Sequence, residues 1–454
     1  MPFLAKGKRM NGIKRSKFLS KNDNNSNVTK KRPKNEEVTS SEDEEVTKDD
    51  ENDAISSSED ENETAQEKKL RLAKLYLQEI EKEEKARLEQ EEIEPDVISK
   101  RLRQDYLKES GKLRLSVADK YKGVDYSGVK ILRCRQQRNS LTCFCLSSDD
   151  KYVFVGSKDG IVVKYSLRDG AKVGLIPFTR RNEGEVVGHS SEILSLAIST
   201  DSKFLTVGDK SGNIQIWDPA TFKHVKTLMG HKSWVTGLAF KKETHTLYSC
   251  SKDKTVKVWN LDEMSYVESL FGHQDMVASI DTLYRDRVVT SGGHDLRVWK
   301  ITEETQLIYN GHTGNIDNVR LINEENFITG GDDGQICVWS ILRKKPLQCI
   351  ERAHGENEGN HQANWITAVC GLMNTDLFAS GSKDGFVRMW KLDNGFKSNK
   401  EILKVKVEGF VNSIAFTSDG QYLLVAVSRE YRFGRWDCVK DAKNCVLVIP
   451  FLLE

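Results

Sequence analysis

From about residue 141 to the end of the chain, apolar and polar positions alternate in short runs, each closed by a turn rich in Gly, Ser, Asn or Asp. Alternation at period two over such lengths predicts β-strands. The runs recur in sets. A Gly–His pair opens a set at Gly188 and His189, Gly230 and His231, Gly272 and His273, and Gly311 and His312, with Ala353 and His354 as a variant. An apolar strand, a small-residue turn and a tryptophan follow each pair. The tryptophans are Trp217, Trp259, Trp299, Trp339 and Trp390, and Trp436 continues the interval without a pair before it.

The tryptophan gaps are 42, 40, 40, 51 and 46 residues, against ~40–45 for a WD repeat. The longest gap holds the polar insert at 355–360. The stretch 141–165 has the same pattern with Tyr165 in the tryptophan place, which makes seven sets. The expectation is an all-β fold, a seven-bladed WD-repeat β-propeller over 128–454. In such a repeat the histidine, a hydroxyl residue, the turn aspartate and the tryptophan form a buried hydrogen-bonded chain. Three sets are complete: His231, Ser249, Asp253 and Trp259; His312, Thr329, Asp333 and Trp339; His354, Ser380, Asp384 and Trp390. A His–Ser–Asp set resembles a hydrolase triad, but a catalytic set occurs once and this one recurs at a fixed period. Other sets depart from the pattern. Asp159 is present where Val155 replaces the hydroxyl, Ser211 stands where Asp is expected before Trp217, Asp295 lies only four before Trp299, and Glu430 takes the Asp place of the seventh set. Residues 129–132 and 445–449 are both candidates for the strand that closes the ring and removes its open edge.

Ahead of the strands lies a different kind of chain. Between Lys6 and Lys34 the only acid is Asp23, and from Glu36 to Glu67 the sign inverts around Ser40, Ser41 and Ser56 to Ser58. Neither block holds the apolar residues needed to offset chain entropy, so 1–62 is expected to be a disordered basic then acidic tail. Lys30, Lys31, Arg32 and Lys34, around Pro33, read as a nuclear import address, and the acid-flanked serines suit an acid-directed kinase. Residues 63–122 read as a helical arm. Leu70, Ala73, Leu77 and Ile80 fall at helical spacing, with Leu72 and Tyr76 beside them. After Pro95 a second helix is expected through Ile98, Leu102, Tyr106 and Leu107, ended by Gly111.

Composition fits a folded part diluted by a solvated one: in 454 residues, 38% are hydrophobic, 30% are charged, and the formal net charge is +1. The nine cysteines are scattered through strand-like runs, which argues against a secreted disulfide framework. Cys143 and Cys145 have no second pair to complete a zinc site. No apolar run reaches the ~20 residues of a membrane span, and none follows Met1 as in a signal peptide. The reading is a soluble intracellular chain. There is no phosphate loop, no zinc-protease helix and no nucleophile elbow, so the expectation is no enzyme, no cofactor, no metal and no small-molecule substrate.

Four stretches go beyond the generic repeat. They are Glu63-Thr64-Ala65-Gln66-Glu67-Lys68-Lys69-Leu70-Arg71-Leu72-Ala73-Lys74-Leu75-Tyr76-Leu77, Tyr266-Val267-Glu268-Ser269-Leu270-Phe271-Gly272-His273-Gln274-Asp275, Leu321-Ile322-Asn323-Glu324-Glu325, and Arg432-Phe433-Gly434-Arg435-Trp436. In these the chain resembles the WD-repeat proteins of the U3 small nucleolar ribonucleoprotein, the ribosomal RNA-processing protein 9 family. The resemblance implies a non-catalytic scaffold of a box C/D particle that acts in pre-ribosomal RNA processing and small-subunit biogenesis. It implies as partners the U3 RNA at its box B/C element, the small kink-turn-binding protein, and other box C/D and processome proteins, in the nucleus and nucleolus. Candidate RNA or partner contacts are Arg180 and Arg181, then Arg343, Lys344 and Lys345, then Arg429, Arg432 and Arg435, with Arg133, Arg135 and Arg138 ahead of the first blade. Guanidinium groups match phosphate oxygens in pairs, and ammonium groups neutralise them as point charges. Tyr126, Phe178 and Tyr431 lie near these positions and are candidates for stacking on bases, with core packing as the competing role. The alternative function is a protein-only nuclear hub, a chromatin or ubiquitin-pathway adaptor. The Trp-Asp pairs at 217 and 436 lack the following x-Arg of ubiquitin-ligase adaptors.

Overall fold

In the computed structural model, residues 65–88, 95–179, 188–357, 361–393 and 395–454 are described. The calls on the 1–62 tail and its import address lie outside them. The chain divides into two compact units, Met1–Leu77 and Gln78–Glu454. Helix α1 spans Ala65–Leu88, longer than the apolar stripe that announces it, because the charged run after Ile80 contains no Gly or Pro to stop it. Helix α2 spans Pro95–Glu109, with proline at its first position, where no amide donor is needed. Gly111 follows with φ 70°, and the Lys112 amide donates to the Leu107 carbonyl at 2.8 Å, a left-handed helix stop.

The rest is seven antiparallel sheets. Blade one is Leu141–Leu146, Tyr152–Ser157, Val162–Ser166 and Lys172–Ile176. Blades two to six repeat that meander and begin at Ile193–Ile198, Val235–Phe240, Val277–Thr282, Ile316–Leu321 and Ala368–Gly371. Blade seven begins at Phe410–Phe416. Middle strands are buried on both faces, as in Asn326–Gly331, because each sheet is sandwiched between two others. Outer strands such as His224–Met229 are largely exposed or half-buried, with Leu228 as the one buried position. Seven apolar clusters fill the seams between neighbouring blades. One joins Leu141, Val153 and Val163 of blade one to Leu424, Val446 and Val448 of blade seven, so the ring is shut by packing. Each fully buried Val or Leu contributes about 1.5–3 kcal/mol.

Both candidate closing segments lie in the seventh sheet, side by side. Cys445–Leu453 pairs with Tyr422–Ser428 on one edge and with Lys130–Leu132 on the other, in the register Lys130↔Val448. Tyr121–Val124 extends the same edge, Tyr121 opposite Leu453. That strand was not anticipated, and its first two residues fall at the end of the stretch assigned to the helical arm. The ring recruits earlier chain still. Asp376, 2% exposed, accepts from the Val117 and Ala118 amides at 2.8 and 3.0 Å and from the Ser116 hydroxyl at 3.1 Å. Residues 114–124 therefore belong to the edge of blades six and seven.

Trp436 is not a blade tryptophan. In blades three, five and six the tryptophan faces Leu247, Phe327 and Phe378 across the second and third strands. The matching pair in blade seven is Leu423 and Ile449. Ile449 fills the core position, and Trp436 lies in the long loop at 429–444 with 64% of its surface exposed. Glu430 begins that loop and holds no histidine: its carboxylate meets the buried Lys158 ammonium at 3.2 Å. One disulfide joins Cys337 to Cys349, which face each other in register on neighbouring strands with Cα atoms 4.1 Å apart. It is a local cross-strand link within blade five.

Candidate nucleic-acid interface

The three complete sets are assembled inside their blades. His231 Nδ1 lies 3.0 Å from Asp253 and its Nε2 2.8 Å from the Ser249 hydroxyl, which accepts from Trp259 Nε1 at 2.8 Å. His312, Asp333, Thr329 and Trp339 repeat this at 3.1, 2.7 and 2.8 Å. His354, Asp384, Ser380 and Trp390 do so at 2.9, 2.8 and 2.9 Å. Burial disfavours the Asp253 carboxylate, but hydrogen bonds from His231, Thr255 and the Lys232 amide outweigh it and hold the carboxyl below the usual range. The histidines are buried, and each hydroxyl is spent on its own indole and imidazole. Such a hydroxyl cannot reach a substrate, and the sets act as internal fasteners.

The departures have visible consequences. In blade four His273 Nε2 meets Thr290 at 2.7 Å and Trp299 donates to the same hydroxyl at 2.8 Å, but His273 Nδ1 has no partner. Burial, aided by Arg297, pushes His273 down to about 3. In blade two the hydroxyl position is Val207. Both His189 nitrogens and Trp217 Nε1 are left without partners, and burial lowers His189 to about 3. In blade one Asp159 accepts from the Asn139 amide and side chain, both at 2.8 Å, in place of a histidine.

The basic candidates separate into three groups. Arg180 and Arg181 lie outside the described residues. Arg343, Lys344 and Lys345 are exposed at the start of the outer strand Arg343–Ile350, directly after the exposed Leu342. Thus they sit on the edge of blade five rather than in a loop. The third group is split by the 429–444 loop. Arg429 is exposed, with its Nε on the Ala442 carbonyl at 2.8 Å. Arg435 is exposed beside Glu430 at 3.4 Å. Arg432 is a correction: it is 9% exposed and points into the central channel, which leaves it unable to meet RNA. Tyr431 is likewise 3% exposed, so it cannot stack on a base, whereas Tyr126 and Phe178 are exposed.

Lys443 and Asn444, which the sequence reading did not single out, join the candidates Arg133, Arg138 and Arg429 in a basic shelf at the seam of blades seven and one. Asn444 donates to the Arg138 carbonyl at 2.9 Å and accepts from the Arg429 amide at 3.0 Å. This brings exposed Arg138 beside Arg429, while Arg133 and Lys443 both act on Cys445 next door. The sequence signal was the density of cations at 429–443 together with Arg133, Arg135 and Arg138.

The WD domain, G-beta repeat family model matches residues 128–166, 181–218, 222–260, 303–340 and 356–391. The unmatched blades are four and seven, where the turn aspartate and the blade tryptophan are displaced. Over 393 residues, 86% of this chain and 82% of the relative, the sequence is 42% identical to U3 small nucleolar RNA-interacting protein 2 of Mus musculus. It is 26% identical to ribosomal RNA-processing protein 9 of Saccharomyces cerevisiae, covering 78% of this chain and 79% of that one. The solved structure of U3-55K gives a TM-score of 0.69 at 43% identity, covering 72% of this chain and 100% of that chain. The crystal structure of RRP9 WD40 repeats gives 0.70 at 42%, covering 73% and 99%. A seven-bladed ring of WD40 repeats, three of them fastened by complete buried histidine sets, defines a β-propeller of the WD-repeat class. Within that class, the chain belongs to the family of the U3 small nucleolar RNA-interacting proteins and ribosomal RNA-processing protein 9.

Proposed function

We propose that this protein is a non-catalytic scaffold of the U3 small nucleolar ribonucleoprotein that binds U3 RNA and acts in pre-ribosomal RNA processing in the nucleolus. The observation that carries this reading is the 42% identity, over 393 residues and 86% of the chain, to a relative named for its interaction with U3 small nucleolar RNA. The geometry supports it in two ways. The recurring His–hydroxyl–Asp sets are buried and internally satisfied, which leaves them structural. Exposed cations are concentrated at Arg343, Lys344 and Lys345 and on the shelf of Arg138, Arg429 and Lys443, where phosphate would find them. The finer assignment has the box B/C element as the RNA segment, with the small kink-turn-binding protein and other box C/D and processome proteins as neighbours. RNA would be read through backbone and 2′-hydroxyl contacts. Lys30, Lys31, Arg32 and Lys34 would supply nuclear import.

The test is retention of a U3 box B/C fragment by the full chain, with and without the kink-turn-binding protein, against unrelated hairpins of equal length. Salt-dependent retention of the U3 fragment alone is expected. Equal retention of all hairpins, or of none, would overturn the reading in favour of a protein-only hub.

A further inference from the structure

The displaced loop of blade seven builds a second feature. Trp436 leaves the core and lies over the central channel, 6.2 Å from Trp365 and 5.8 Å from Tyr431 between ring centroids. Trp365 and Tyr431 are 6.0 Å apart, and Phe433 packs edge-on to Tyr431 at 5.7 Å. These rings wall a cavity of about 350 Å³ on the face that carries the hairpins between second and third strands. The lining also carries Asp275, Asp317 and Asp332 from blades four and five, of which Asp317 is buried beside Arg432. Lys252 is the one ammonium at the rim, and it is already held over the Trp234 ring at 4.2 Å. Beneath the rings the Tyr431 side chain is 97% buried, and its hydroxyl faces the Asp317 carboxyl and the Arg432 guanidinium.

Aromatic faces with carboxylates in the same lining are matched to one kind of group. A cation gains from the ring quadrupoles, by about 0.5–2 kcal/mol per ring according to its desolvation, and from the carboxylates directly. Arg432 is engaged on the Asp317 and Ala278 carbonyls and offsets the Asp317 carboxyl, so a phosphate would face Asp275 and Asp332 with Lys252 alone at the rim. An uncharged apolar group would leave the carboxylates desolvated and unpaired. We propose that this cavity is a recognition site for the cationic side chain of a lysine or arginine, presented by an extended basic segment of a protein partner. The cavity exceeds one side chain, so flanking backbone enters with it. The site is separate from Arg343, Lys344 and Lys345, and does not depend on the RNA reading.

The test uses the full chain and acetylated, amidated Gly-Ser-Gly-X-Gly-Ser-Gly peptides with X as arginine, lysine or norleucine. Binding is followed by calorimetry and by quenching of tryptophan fluorescence. The arginine or lysine peptide is expected to bind at least tenfold more tightly than the norleucine peptide. Trp436→Ala and Asp332→Asn should each lose at least tenfold in that affinity, with the melting temperature and retention of U3 RNA unchanged. Trp436 is mostly exposed, and asparagine at 332 can still accept from Asn315, so neither change threatens the fold. Equal binding of norleucine, no binding of any peptide, or indifference to both substitutions would overturn the proposal. Binding of a single-stranded RNA hexamer that Trp436→Ala abolishes would also overturn it, and make the walls a base-stacking platform.

Discussion

Arg432 Nη2 donates to the Asp317 carbonyl at 2.7 Å, from a blade-seven loop to the first strand of blade five across the channel. The same nitrogen reaches the Ala278 carbonyl at 3.4 Å. The pattern around the channel explains why. At six of the seven blade junctions, a side chain on or next to a first strand donates to the backbone at the start of the next blade. These donors are Thr142 to Ile193, Ser195 to Val235, Thr236 to Val277, Asn318 to Thr367, Thr367 to Val411 and Asn412 to Leu141. Blade four has Ala278 where blade three has Thr236, and so has no donor. Arg432 spans the junction that lacks one.

Arg432→Ala is therefore expected to destabilise the ring by about 1.5–3 kcal/mol, the range for a hydrogen bond to a charged group, without changing intrinsic RNA affinity. Arg435→Ala should leave stability within about 0.5 kcal/mol, as for an exposed ion pair. Urea denaturation of both variants checks this. If Ala278→Thr recovers part of the loss in the Arg432→Ala background, the clasp itself was what was removed.

The fasteners give a contrast between blades. Ser249→Ala leaves His231 Nε2 and Trp259 Nε1 buried without partners and should cost about 2–4 kcal/mol. Val207→Thr in blade two does the reverse, because it places a hydroxyl where His189 and Trp217 Nε1 both lack one. It is expected to hold or raise stability. Val155→Thr in blade one meets no histidine or tryptophan and should lower stability by about 1–2 kcal/mol. Opposite signs for the two valines in matched melts are the readout. Equal losses would show that the two unpaired rings are not limiting.

Most of the fold was legible because its signals are local and repeated. A histidine, a hydroxyl and a tryptophan at fixed offsets specify the same hairpin geometry wherever they occur, so Trp259, Trp339 and Trp390 located their blades. Trp436 misled for the same reason. It falls at the right interval, yet the 429–444 loop delays the third strand, and Ile449 fills a core position that needs volume but no indole. The strap at 114–124 was illegible because it is held by long-range groups, with Asp376 far along the chain capping the Val117 and Ala118 amides. Exposure was the other limit. Arg432 and Arg435 are three residues apart and chemically alike, and only tertiary placement separates a channel clasp from a surface cation.

Acid sensitivity should trace to His189 and His273. Both are held down to about 3 by burial, whereas an unfolded histidine titrates near 6.5. Between those values the unfolded chain binds more protons than the folded one, so stability falls as pH drops from 6.5 toward 3. The slope is about 1.4 kcal/mol per pH unit for each group. Denaturation midpoints measured at several pH values should show this slope, and His273→Gln should flatten it by one group's share even if the variant is less stable throughout. An unchanged slope would place the acid-sensitive groups elsewhere.

The exposed cations on blade five give the prediction closest to function. Arg343, Lys344 and Lys345 form no ion pair among the described residues, so their substitution removes charge without leaving a buried partner. Changing all three to glutamate should leave the melting temperature unchanged. RNA affinity should fall, and the loss should carry a particular signature. Each phosphate contact adds about 0.7–0.9 to the slope of log affinity against log salt. Loss of three contacts therefore flattens that slope by about 2, and the deficit is largest at low salt and closes as salt rises. A uniform loss at every salt concentration would instead mean a misfolded edge. An unchanged slope would transfer the contact to the shelf of Arg138, Arg429 and Lys443, where the same reversal can be repeated.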